Sequence, residues 1–168
     1  MIVAIIVIAV VIAGVAVYVL YSGGGEPTPT PTPTPTSPVE GATSMRFDVN
    51  MTVEGGVELD SFTAKNLGTS NVLLRVDVKD VDGVAFIYLM NQTDQTVWVN
   101  YAGTWMDDSA NFATQYWNND VIGNVALEKY MTALAHWSGT GDYEGDGFTI
   151  FSITVNPEIG DSAFEPTS

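Results

Sequence analysis

The chain has 168 residues and carries 20 acidic side chains against 5 basic ones, a formal charge of −15, yet its mean hydropathy is positive at +0.17. That length suits one compact domain with an appendage. The negative charge repels phosphate backbones, so nucleic acid is excluded as a partner. The absence of cysteine removes disulfides, thiolate nucleophiles and thiolate metal sites, and the single His136 leaves no multi-histidine centre.

Acidity and hydrophobicity occupy different parts of the chain. Residues 1–25 contain no charged side chain at all. Residues 1–21 are apolar throughout, and 12 of these 21 are Val or Ile. As a helix at ~1.5 Å per residue the run would be roughly 31 Å long, close to the ~30 Å hydrocarbon core of a bilayer. It is apolar on all sides, and in lipid only a helix satisfies its own backbone as a single segment. Tyr18 and Tyr21 fit the membrane–water interface. The run is longer than the ~7–15 residues of a secretory signal core, and no basic residue stands before it. This pattern predicts a retained helix, whose orientation is set either by some other means or by a short basic leader cut away before it. Ala9, Ala13 and Ala16, with Gly14 beside them, repeat at three- and four-residue spacing, which allows close helix packing.

A glycine hinge and a stretch of alternating proline and threonine follow, so residues 23–38 read as a linker. Alternating proline forbids helix and central strand and favours an extended spacer, roughly 37 Å for twelve residues at ~3.1 Å each. Its threonines are candidate O-glycan positions.

Residues 39–168 read as a β-rich head. Phe47, Val49, Met51 and Val53 alternate with polar residues, and Val72, Leu74, Val76 and Val78 alternate with Leu73, Arg75, Asp77 and Lys79. Residues 57–64 form a less regular strand candidate. Asp80-Val81-Asp82-Gly83 reads as a turn into residues 84–90, Val97-Trp98-Val99 as a further strand, and Phe148–Val155 as the last. Leu127, Tyr130, Met131 and Leu134 stand at helical spacing and predict one helix over residues 126–137. The fold class is therefore α+β: a long apolar helix over residues 1–22, a linker, and a mainly antiparallel, sandwich-like β head with one helix.

Few polar clusters suggest chemistry. His136 beside Trp137 reads as structural, and Asp107-Asp108 before Ser109 as a cap or turn. Asp142, Glu144 and Asp146 alternate with other residues in a glycine-rich stretch, like the front half of a calcium loop. No bidentate Glu follows at the required distance, so a hairpin loop with at most feeble calcium affinity is expected. Asn50-Met51-Thr52 and Asn91-Gln92-Thr93 are N-glycosylation sequons, with Asn91 favoured because its segment reads as a turn. No catalytic residue and no cofactor are expected.

An uncharged N-terminal helix, a hinge and a β-rich head with sequons resemble the mature archaeal type IV pilins and archaellin-like subunits. The sequence character of the family is carried by residues 1–21. Ile5 stands where bacterial pilins have glutamate, which points to the archaeal branch. The resemblance implies removal of a basic leader by a prepilin-type peptidase. It also implies residence in the membrane before assembly, and a homopolymeric surface filament with helices in the core and acidic heads outside, available to a surface or glycan ligand. The Pro/Thr stalk departs from that family and keeps a second reading open, a single-pass anchored ectodomain that binds a partner at the cell surface.

Overall fold

The computed structural model describes residues 37–167. The apolar N-terminal segment, with Ala9, Ala13 and Ala16, and nearly all of the Pro/Thr linker lie outside the described residues. Among the described residues no helix is long and apolar enough to cross a membrane.

The head is built on one antiparallel sheet. Six strands, β1 (Ser44–Val53), β2 (Gly56–Lys65), β3 (Leu73–Lys79), β4 (Ala85–Asn91), β5 (Thr96–Tyr101) and β6 (Thr104–Asp107), form a meander, each beside its predecessor. The chain then makes a short 3₁₀ turn (Ser109–Asn111), a π-type turn (Phe112–Tyr116) and the helix α1 (Asn124–Leu134). It returns through β7 (Tyr143–Glu144) and β8 (Phe148–Val155), and β8 pairs antiparallel with β1 on the side away from β2. The spatial order is β6-β5-β4-β3-β2-β1-β8-β7.

Register decides which side chains meet. Phe47 stands opposite Phe62, Phe62 opposite Val76, Val76 opposite Tyr88, and Tyr88 opposite Val99, so one apolar row crosses five strands. A parallel row runs through Met45, Ala64, Leu74, Met90 and Val97. Helix α1 covers this face with Ala126, Leu127, Tyr130 and Leu134, all buried. Tyr130 is the centrepiece. Its ring meets Phe62 and Phe148 edge-on at 5.3 Å and Phe47 at 6.0 Å, while Phe47 and Phe62 stack at 5.1 Å. Such aromatic contacts add roughly 0.5–1.5 kcal/mol each beyond the apolar area they bury.

The sandwich-like expectation is corrected here. There is one sheet, and its second layer is α1. The opposite face carries Arg46, Asp48, Thr63, Lys65, Arg75 and Asp77, too polar to bury against a second sheet. An apolar patch on it, around Leu73, Leu89 and Trp98, is covered by the C-terminal segment through Phe164. Lys65 pairs with Asp161 at 2.6 Å, Arg75 donates to the Ala163 carbonyl at 3.4 Å, and the Trp105 indole donates to the Thr167 carbonyl at 2.9 Å, fastening that segment down. Leu89, only 2% exposed, lies beneath it.

The expected helix starts two residues earlier and ends three residues earlier than its periodicity suggests. Gly123 is its N-cap, and the Asn119 side-chain oxygen accepts from the Val121 and Ile122 amides just before it. Strands β6 and β7 escaped the periodicity because four and two residues are too few to show an alternation.

Candidate functional site

The antiparallel meander sorts its turns to two ends. Where the chain enters at residues 37–43, the connections β2–β3 and β4–β5 lie at the same end of the sheet. The hairpins β1–β2, β3–β4, β5–β6 and β7–β8 gather at the other end. At that far end some apolar surface is open, with Val57 56%, Tyr101 48% and Val81 42% exposed. A Cβ on Gly56 would come within 3.3 Å of the Val81 side chain, so the tips of two hairpins touch.

From this end an aromatic ladder runs inward on the face that carries α1. Tyr101 stacks on Phe86 at 5.1 Å, Phe86 lies 6.2 Å from Tyr88, and Tyr88 lies 6.0 Å from Tyr116. The Tyr116 hydroxyl donates to Asp108 at 2.5 Å. Burial, then the bond to Asp108, pushes that phenol up to about 12.

Beside the ladder stand two carboxylates that alternation places on the inner face, Glu58 and Asp60. Asp60 faces Val49 on β1 and Val78 on β3, positions that elsewhere in these strands hold core residues. It is 0% exposed, and neither carboxylate oxygen has a hydrogen-bond partner. An unpaired buried polar group normally costs about 1–3 kcal/mol, more when it is charged. Burial, assisted by the Glu58 charge, lifts its pKa from 3.8 to about 7. Glu58 is itself raised, by burial and by the charge of Asp80. Tyr88 and Tyr130 complete the group. Burial raises both phenols, Tyr130 to about 12, and the charges of Glu58 and Asp60 add to each shift. The Tyr130 hydroxyl reaches only the Met51 sulfur, at 3.8 Å.

The residues singled out by sequence are dispersed. Asn50 is exposed on the polar face of β1, with Thr52 exposed two residues on. Asn91 ends β4 in a tight turn: its amide donates to Asp94 at 2.9 Å, and its oxygen accepts from the Thr93 and Asp94 amides. Asn91 is thus the more restrained of the two sequon asparagines. Asp142, Glu144 and Asp146 are all exposed, Glu144 accepting from the Thr149 hydroxyl at 2.8 Å. Among the described residues no three acidic or imidazole side chains converge to hold a metal ion. His136 is exposed just past α1. Asp107 accepts from the Ser109 hydroxyl at 2.5 Å, which with the Ser109 amide holds its pKa below the usual range.

Sequence reasoning passed over Glu58, Asp60 and Tyr88. The available signal was parity, since counting inward from Phe62 and Ala64 puts Asp60 and Glu58 on the same face. Leu59 on the opposite parity blurred it. Chemically the cluster can bind and release a proton, and its carboxylates can attract a cationic group to the far end of the sheet. No family model matches the chain, and no curated protein or solved structure matches it.

Proposed function

We propose that the chain is a structural subunit of a type IV pilus-like surface filament, with its N-terminal segments packed in the core and its acidic heads outside. The observation that carries the reading is the partition of the sequence: 25 residues without a charge, then Glu26 in the linker and a head holding the other 24 of the 25 charged side chains. A filament core excludes charge because each unpaired ion buried there costs several kcal/mol. Like-charged heads repel one another and stay soluble on the outside. The head adds a compatible feature, since its chain enters at one end of the sheet while open aromatic surface lies at the other, where a surface or glycan ligand would meet it.

The test separates a filament from a simple anchor. A lipid anchor needs only bulk hydrophobicity, so Ala9→Leu with Ala13→Leu is neutral or favourable for insertion. A crowded helical core needs its small residues, and overpacking costs about 1–3 kcal/mol per site. The double variant is expected to remain in the membrane fraction while surface fibres disappear in electron micrographs. Wild-type cells without fibres containing this chain refute the filament reading. The anchored ectodomain then takes its place, a reading favoured by the Pro/Thr stalk.

A further inference from the structure

We infer that Asp60 is a proton-operated latch between the sheet and α1: protonated, it seats as a neutral group in the core, and ionised, it draws water in and loosens the helix. The geometry sets the terms. Asp60 is fully buried on the covered face, with Val49 and Val78 as its cross-strand neighbours and both oxygens unpartnered. β2 itself contributes Glu58, the end of β3 contributes Asp80, β4 contributes Tyr88, and α1 contributes Tyr130. On β1 and β8 the inner-face neighbours are Phe47, Val49, Met51, Phe148 and Ile150, none of which titrates. Of the cations, Lys79 follows Val78 on β3 but belongs to the opposite face, and Lys129 on α1 lies over the rings of Tyr130 and Phe148 at 5.2 and 5.5 Å. Neither lysine pairs with Asp60, whose oxygens stay unpartnered. On the covered face of the sheet the charges beside Asp60, those of Glu58 and Asp80, are negative, so nothing there compensates the carboxylate once it ionises.

The sign follows from linkage. Asp60 titrates near 3.8 when unfolded and near 7 when folded. The folded state therefore binds the extra proton between these values, and stability falls as pH rises from about 3.8 to about 7, then stays level. Relief of general repulsion among the acidic side chains acts in the same direction, so the latch is read from a difference between proteins. Tyr130 is the mechanical link, because it packs on Phe62, the next inward residue of β2.

The experiment uses the full chain in a non-ionic detergent. All four tryptophans, Trp98, Trp105, Trp117 and Trp137, lie in the head, so their fluorescence reports its melting alone. Wild type, Asp60→Asn and the opposite-face control Asp48→Asn are melted between pH 4 and 9. Wild type is expected to lose about 10 °C more than Asp60→Asn between pH 4 and 8, with the control following wild type. At pH 8, amide exchange in α1 is expected to be at least tenfold slower in Asp60→Asn than in wild type. Parallel melting curves at every pH overturn the latch. An Asp60→Asn chain that does not fold is replaced by carbon NMR of the wild-type carboxyl: a midpoint near 7 supports the latch and one near 4 overturns it.

Discussion

Replacing glycine by alanine in a permitted conformation usually stabilises a protein by about 0.4–1 kcal/mol, by restricting the unfolded chain. At Gly123 the opposite is expected, although its φ of −88° is open to any residue. A Cβ there would lie 2.5 Å from the Trp117 carbonyl oxygen and 2.8 Å from that of Asn119, and closer still to that of Tyr116. All three are backbone atoms, and none can swing aside as a side chain would. Each also accepts a hydrogen bond: Asn124 donates to Trp117 at 2.8 Å, Gly123 to Asn119 at 3.1 Å, and Asn119 to Tyr116 at 3.1 Å. Relief of the clash requires a retreat of about 1 Å, enough to break two or three of these bonds at roughly 1–1.5 kcal/mol each. After the usual gain is subtracted, Gly123→Ala should lose about 2–3 kcal/mol and melt roughly 10 °C below wild type. Gly160 is the matched control. Its φ is −69° and a Cβ would meet only the Ser162 hydroxyl, at 3.6 Å. Gly160→Ala is expected to be neutral or stabilised by about 0.5 kcal/mol. Denaturant titrations followed by tryptophan fluorescence measure both. A Gly123→Ala protein within 0.5 kcal/mol of wild type, on the order of that ordinary gain, would refute the steric argument.

Phe62→Ala should cost about 4 kcal/mol, because Phe62 is fully buried against Phe47 and Tyr130, whereas Phe62→Leu should cost under about 2; both are read from denaturation midpoints. Phe164→Ala should cost about 2 kcal/mol and expose Leu89, with a red shift of Trp98 emission as the accompanying signal. Asp161→Asn should cost less than about 0.5 kcal/mol, since its pair with Lys65 is largely in water and its aspartate side chain is 75% exposed. A larger loss in Asp161→Asn than in Phe164→Ala would show that charge, rather than apolar contact, holds the C-terminal segment.

The strands with clean alternation were legible residue by residue. In β1 and β3 one face is covered and the other is wet, so hydrophobicity repeats every second residue and the pattern names both the strand and its inner face. The last strand was legible to its bounds, because Gly147 and Pro157 punctuate it. The helix showed through Leu127, Tyr130 and Leu134, since a single buried stripe leaves the 3.6-residue period intact.

Whether α1 or a second sheet covers those strands was not legible. An inner face has the same composition whichever layer packs on it, and only the tertiary structure decides between them. The candidate site was hidden for a related reason. Asp60 looks like an ordinary surface aspartate in the sequence, and its parity is ambiguous beside Leu59. It becomes unusual only when pairing with Val49 and Val78 turns it inward and α1 closes over it. Composition and periodicity thus determined the segregation of charge, the β-rich head and most of its strands. Register, the covering helix and the burial of one unpaired carboxylate arise from contacts between residues far apart in the chain, and those are properties of the folded molecule.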